Sequence, residues 1–107
     1  MLKQTEHQIQ SVIIQYLKYK QYKVWRSNSG KSIYEHKGVK RMVTYGERGI
    51  PDVMAIQPKT GKLVCIECKS KTGKLSEHQK MWLDDAEAHG AIVIVARGID
   101  DLKILDK

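Results

Sequence analysis

An uninterrupted apolar segment near the C-terminus restricts the folds open to this chain. Residues 91–96 read Ala-Ile-Val-Ile-Val-Ala, and they follow Gly90, a residue typical of the end of a helix. A strand with one wet face alternates apolar and polar residues, whereas a continuous apolar run indicates a strand buried on both faces. Such a strand needs a covered sheet, so the segment predicts an α/β protein.

Two segments have the apolar spacing of amphipathic helices. The first extends from about Glu6 to Lys20, and Thr5 with Gln8 three residues later has the pattern of a capping box. The second follows Ser76, a favourable N-cap residue, and ends at His89.

Strands are predicted between and after these helices. The segments are 22–26, a basic hairpin at 33–45, the residues after Asp52, 62–69 and 91–96, with turns at 27–30 and 58–61. The strands on either side of the second turn should be antiparallel neighbours. Residues 99–105 form a short terminal piece of helix or strand. The order predicts one domain over residues 1–107, with a mixed central sheet flanked by helices.

The net charge of +7 is concentrated in one segment. Residues 18–48 contain nine basic and two acidic residues, and the rest of the chain is neutral. Clustered lysine and arginine side chains replace counterions on phosphates, so the segment indicates a nucleic-acid surface, with a solubilising surface as the alternative. The candidate DNA-binding residues are Arg26, Lys31, Lys37, Lys40, Arg41 and Arg48, together with Lys71 and Lys74 farther along the chain.

Other classes of protein and site are disfavoured. No apolar run approaches the roughly 20 residues that span a bilayer, and the N-terminus has no signal-peptide core, so we expect a cytoplasmic protein. Cys65 and Cys68 have no second ligand pair at zinc spacing, and residues three apart in a strand face opposite sides. We interpret them as ordinary strand residues.

The pattern that carries chemistry is Asp52, fourteen residues, then Glu67-Cys68-Lys69. Glu67 and Lys69 project from the same face of an otherwise apolar strand, where unpaired charges are costly. Asp52 begins the adjacent strand, so its carboxylate can converge on Glu67. Two carboxylates suit magnesium or manganese, ions that polarise phosphates and lower the pKa of bound water. Lys69 would stabilise transition-state charge or hold the attacking water. A surface salt bridge between Glu67 and Lys69 is the alternative.

Two further polar residues are candidates for supporting roles. Glu6 lies in the first helical turn, where it would either reach a metal at the sheet edge or stabilise the helix dipole. Gln79 falls on the apolar face of the second helix, where it would orient a water or a phosphate, although Ser76 and Gln79 also match a capping box.

Five short motifs together resemble a known family. They are Thr5-Glu6-x-x-Ile9-Gln10, Trp25-Arg26-x-Asn28, Gly49-Ile50-Pro51-Asp52, Glu67-Cys68-Lys69-Ser70 and Leu75-Ser76-x-x-Gln79. Their order over residues 5–97 is similar to the VRR-NUC domain, the virus-type replication-repair branch of the PD-(D/E)xK nucleases. The cysteine in the middle of the ExK motif departs from the commoner valine.

The resemblance implies a restriction-endonuclease-like core. It also implies metal ligation by Asp52, Glu67 and the main-chain carbonyl of Cys68, a catalytic role for Lys69, and supporting roles for Glu6 and Gln79. Stand-alone members resemble Holliday-junction resolvases, act as homodimers, and occur in bacteria and their phages.

These observations predict a Mg²⁺-dependent endodeoxyribonuclease selective for branched DNA. A less selective nickase or restriction-type nuclease and a non-catalytic DNA-binding module are the alternatives. We expect a homodimer, because one D…ExK site cuts one strand and a two-fold axis supplies a second site. Its candidate interfaces are apolar residues of the hairpin (Ile33, Val39, Met42, Val43 and Tyr45) and of the C-terminus (Ile99, Leu102, Ile104 and Leu105).

Overall fold

A computed structural model describes residues 4–27, 30–45 and 48–106, with only the backbone described for 30–36 and 41–45. Asn28 of the second motif lies outside the described residues. The elements in chain order are α1 (Glu6–Tyr19), β1 (Lys23–Arg26), β2 (Gly30–His36), β3 (Val39–Tyr45), β4 (Val53–Ile56), β5 (Leu63–Cys68), α2 (Glu77–Ala88), β6 (Ile92–Ala96) and a terminal 3₁₀ helix (Ile99–Asp106).

Four of the strands form one mixed sheet in the order β1-β4-β5-β6. β1 and β4 are antiparallel, as are β4 and β5, and β5 and β6 are parallel. The crossover between the parallel strands contains α2, as a parallel connection requires. This arrangement confirms the predicted α/β class and is compatible with a restriction-endonuclease-like core.

Helices cover both faces of this sheet. The apolar stripe of α1 (Ile9, Ile13 and Leu17) is buried in the same core cluster as Val64 and Ile66 of β5. Alternation along β5 directs the intervening Cys65 and Glu67 to the opposite face, where Gln79 of α2 contacts Glu67. Glu67 therefore lies beneath α2, while α1 and the terminal 3₁₀ helix cover the other face.

Complete burial occurs in β5 rather than in the apolar run that first suggested a covered sheet. Residues 64–68 of β5 are all buried. In β6 only Ile94 and Ala96 are buried, because β6 lies at the edge of the four-stranded sheet. The covered sheet is confirmed, and the assignment of two buried faces to residues 91–96 is wrong.

The helix and hairpin signals match the structure closely. Both predicted capping boxes are formed, by Thr5 with Gln8 and by Ser76 with Gln79. The hairpin extends to residues 30–45, so Gly30 belongs to β2 rather than to the predicted turn. No described helix is long and apolar enough to cross a membrane.

Candidate active site

The pairing of β4 with β5 brings the first predicted carboxylate to the end of β5. Val53 lies opposite Ile66, so Asp52, one residue earlier, is level with the last residues of β5. Its Oδ2 accepts a hydrogen bond of 2.9 Å from the Cys68 N–H. This bond crosses the two strands and fixes the Asp52 carboxylate beside Glu67.

The second carboxylate is almost completely buried. Glu67 is 1% exposed. Its Oε1 accepts a hydrogen bond of 2.9 Å from Gln79 Nε2 and lies 3.8 Å from Lys69 Nζ, which is also buried. Its Oε2 is buried and has no hydrogen-bond partner among the described residues. An orphaned carboxylate oxygen in the interior is costly, and a ligand at that point would relieve the cost.

The surroundings of Glu67 disfavour its charged form. Burial is the main cause that raises the pKa of Glu67 to about 8, and the adjacent Asp52 carboxylate raises it further. Lys69 opposes this rise in the pKa of Glu67, and Glu6 adds slightly to it. Without a cation, the protonated form of Glu67 is therefore favoured at neutral pH.

Gln79 forms the predicted capping box and also contacts Glu67, whereas its orientation of a water or a phosphate stays a prediction. Its Oε1 accepts from the Ser76 N–H at 2.9 Å, and its backbone N–H donates to Ser76 Oγ at 3.1 Å. Its Nε2 donates to Glu67. The capping box holds the amide in one orientation, so the helix terminus positions Glu67 directly.

Glu6 approaches the same region from α1. Its Oε2 lies 3.4 Å from the position of a Cβ built on Gly73, and that Cβ would lie 3.5 Å from Lys69 Cδ. Among the residues described, no group of three His, Cys, Asp or Glu side chains is placed to hold a metal. Direct ligation by Glu6 stays a prediction, as does ligation by the Cys68 carbonyl.

The residues fit a magnesium ion. The orphaned Glu67 Oε2 and the adjacent Asp52 carboxylate supply hard oxygen ligands, and magnesium commonly uses one or two carboxylates and keeps several waters. Magnesium fits these residues because both carboxylates offer hard oxygen atoms and one of those oxygens lacks a hydrogen-bond partner.

Comparison with known families identifies the family of this chain. The family profile described as the VRR-NUC domain matches residues 4–100. The chain belongs to the VRR-NUC domain family. This is a nuclease-type family, and the matched range contains all of the candidate catalytic residues (Glu6, Asp52, Glu67, Lys69 and Gln79). Searches of curated proteins and of solved structures give no significant match.

Gly49 has a positioning role in this VRR-NUC domain that its sequence motif does not reveal. Its φ is +79°, and a Cβ there would lie 2.6 Å from the carbonyl carbon of His78 and collide with the His78 oxygen. The loop before β4 therefore touches the first turn of α2. This contact, together with the fully buried Pro51, joins Asp52 to the helix that carries Gln79.

We predict that Gly49→Ala lowers the free energy of unfolding by about 3 kcal/mol or more and reduces activity. Gly61→Ala is the matched control, because Gly61 has φ +71° with no atom within 4 Å of an added Cβ. It should cost only about 1 kcal/mol, the conformational penalty alone. Urea denaturation of both variants measures the difference, and equal losses would refute the packing role of Gly49.

The predicted DNA-binding residues of this VRR-NUC domain fall into two groups. Arg26 donates from Nη2 to Ser11 Oγ at 3.0 Å, and it lies opposite Val53 of β4, the residue after Asp52. Arg48, Lys71 and Lys74 are exposed in loops next to Asp52 and Lys69.

The second group lies on the β2–β3 hairpin. Lys37 and Lys40 are exposed at its tip, where Lys37 and Gly38 both have positive φ, the conformation of a two-residue hairpin turn. Lys31 and Arg41 belong to β2 and β3, and their side chains lie outside the described part of the structure.

Proposed function

We propose that this VRR-NUC domain is a Mg²⁺-dependent endodeoxyribonuclease that hydrolyses phosphodiester bonds in branched DNA. The observation that carries the proposal is the orphaned, buried Glu67 Oε2 beside Asp52 and Lys69, in a chain of a nuclease-type family. A DNA-binding module without catalysis has no use for a carboxylate buried at such cost.

The side chains have distinct tasks in this proposal. Asp52 and Glu67 would hold magnesium (manganese should substitute), and the bound ion supplies Lewis-acid polarisation of the phosphate. Gln79 and the Cys68 N–H fix the two carboxylates. Lys69, 3.8 Å from Glu67, meets the negative charge that grows on the phosphoryl oxygens during attack by water.

Cleavage of a panel of DNA structures tests the proposal. Linear, nicked, flap and four-way substrates are incubated with magnesium, with manganese and with chelator. We expect metal-dependent cleavage that is fastest on branched DNA. Equal rates on all structures would indicate the less selective nickase, and binding without cleavage in either metal would indicate a non-catalytic module.

The lysine should act on the rate rather than on metal affinity. We predict that Lys69→Met lowers kcat by about 10²- to 10³-fold, whereas the magnesium concentration for half-maximal rate changes by less than about threefold. The comparison is made at pH 9, because loss of Lys69 would raise the pKa of Glu67 further. A normal rate with tenfold weaker magnesium affinity would contradict this role.

DNA affinity should depend steeply on salt and on the basic segment. We predict a log–log salt slope of about −3 or steeper, because several phosphates are contacted. The triple variant Lys37→Gln, Lys40→Gln, Arg41→Gln should flatten it, and the matched triple variant Lys59→Gln, Lys62→Gln, Lys103→Gln should leave it near the wild-type value. Fluorescence anisotropy at several salt concentrations measures the slope for both triple variants. A flatter slope in the second variant with an unchanged slope in the first would place the DNA surface elsewhere.

A homodimer is the assembly that we propose for paired cleavage of a junction. Leu102 and Leu105 are buried in the monomer core, so the C-terminal surface offers only Ile99 and Ile104 for an interface. On the hairpin, Val39 is 52% exposed. Exposure does not separate the two candidate surfaces, since Ile104 is 57% exposed. We prefer the hairpin, because a lone two-stranded arm is marginal in water and a partner would stabilise it. Sedimentation equilibrium of the protein gives the mass of the assembly, and a monomer mass would rule the dimer out.

A further inference from the structure

Arg97 organises the loop that follows the candidate catalytic lysine. It comes directly after β6, and the Lys69 N–H donates to the carbonyl of Ala96 at 3.0 Å, so Arg97 emerges beside Lys69. Its Nη1 lies within hydrogen-bond distance of three main-chain carbonyls, those of Ser70 (2.6 Å), Lys71 (3.3 Å) and Gly73 (2.8 Å). The loop therefore curls around one guanidinium group.

The planarity of the peptide bond determines where the amides of this loop point. In a trans peptide the C=O of one residue and the N–H of the next have opposite directions, and the described chain has no cis peptide. Since three carbonyls face Arg97, the N–H groups of Lys71, Thr72 and Lys74 face away from it. No described residue accepts a hydrogen bond from these three amides.

The charge of the loop suits an anion. Residues 69–74 contain three lysines and no acidic residue, and Lys71, Thr72 and Lys74 are exposed. Glu6 Oε2 lies 3.4 Å from the position of a Cβ built on Gly73, so one negative charge from α1 is also near the loop. Lys71 and Thr72 supply successive N–H groups of the Ser70–Gly73 turn. Successive amides of a turn bind oxyanions, and flanking lysines strengthen that binding.

We propose that residues 70–74 form a binding site for a phosphate of the DNA backbone, and that Arg97 is the positioning residue which shapes it. The inference deepens the proposed function, because the loop begins at Lys69 and would hold a phosphate near the one that is cleaved. Arg97 acts through the loop conformation, since its Nη1 donates to carbonyl oxygens of the loop.

The amides themselves provide the test. Two-dimensional ¹H–¹⁵N NMR spectra of the full chain are recorded with chelator while a short duplex oligonucleotide is added, so that binding is observed without cleavage. We expect the Lys71, Thr72 and Lys74 resonances to move with the duplex. Arg97→Gln should weaken duplex affinity by about tenfold, the value of one or two amide–phosphate hydrogen bonds. Lys103→Gln, which removes the same charge elsewhere, should weaken it less than about twofold.

A second pair of variants avoids any effect of Arg97 on folding. The Gly73 N–H donates to the Ser70 carbonyl at 3.2 Å, so Lys71 occupies the second position of a turn, where proline is well tolerated. Lys71→Pro removes both an amide and a charge, whereas Lys71→Gln removes the charge alone. We expect the proline variant to bind the duplex at least about threefold more weakly than the glutamine variant.

The results separate this proposal from the nuclease assignment. Loop amides that move in a protein that cleaves no DNA would support the phosphate site and reject the proposed function. Efficient cleavage with loop amides that do not move would reject the phosphate site alone. Equal duplex affinities for Arg97→Gln and Lys103→Gln would also overturn the phosphate-site proposal. So would equal duplex affinities for Lys71→Pro and Lys71→Gln.

Discussion

Asp52→Asn and Glu67→Gln are each expected to reduce DNA cleavage by at least about 10³-fold, because each removes a proposed ligand of the catalytic cation. Both substitutions keep the hydrogen bonds of the site. An asparagine at position 52 still accepts from the Cys68 N–H, and a glutamine at position 67 still accepts from Gln79 Nε2. Single-turnover cleavage with magnesium, over a range of magnesium concentrations, measures the loss.

The two variants should differ from each other in stability. Glu67→Gln removes a charge from a buried position, so without metal it should unfold at a higher temperature than the wild-type chain at pH 8 and above. Asp52→Asn should also retain its fold. Both should bind DNA at least as tightly as the wild type, because the removed acids repel phosphates. Turnover near the wild-type rate in both variants would reject the site assignment.

The metal-free protein is expected to lose stability as the pH rises from about 5 to 9, and magnesium or manganese should restore it. The folded-state pKa of Glu67, about 8, lies above its ordinary value of 4.5. When folding raises a pKa, the protonated group stabilises the folded state fully at a pH below the unfolded-state pKa. That stabilisation disappears as the pH rises through the folded-state pKa. The melting temperature in chelator should therefore fall, on the order of 10 °C across this range.

A bound cation offsets this loss of stability at high pH. Metal binding requires the ionised carboxylate, so it displaces the Glu67 proton below pH 8 and its affinity should rise with pH. Melting temperatures are measured against pH in chelator and in magnesium at about 10 mM, on the order of a saturating concentration for such sites. The two curves should diverge towards high pH. Glu67→Gln provides the control, since its melting temperature should vary much less in this range. Parallel curves for the wild type would show that the cation does not bind at Glu67.

Local signals in the sequence determined most of the elements. The capping boxes at Thr5 and Ser76 and the apolar stripe of α1 are short-range patterns, and each corresponds to an observed helix. Strand parity also predicted that Glu67 and Lys69 share a face, and their 3.8 Å approach agrees with it. These inferences succeeded because backbone periodicity decides which neighbours in sequence are neighbours in space.

The tertiary structure decided which strand is central and how the separate segments meet. An apolar composition does not distinguish the interior of a sheet from its edge, so residues 91–96 looked more buried than β6 is, while β5 holds that position with a glutamate in it. Likewise, the motif around Gly49 did not reveal its contact with His78, because a close approach of two backbones depends on packing between distant elements.

Local patterns along the chain were enough to predict the covered α/β sheet, the two helices with their caps, and the convergence of Asp52, Glu67 and Lys69. Three features became visible only in the folded chain. Glu67 keeps one oxygen unsatisfied, Gln79 bonds both the helix terminus and the carboxylate, and Arg97 contacts three carbonyls of the loop after Lys69. Hydrogen-bond satisfaction and desolvation depend on where a group lies in space, and long-range packing decides that position.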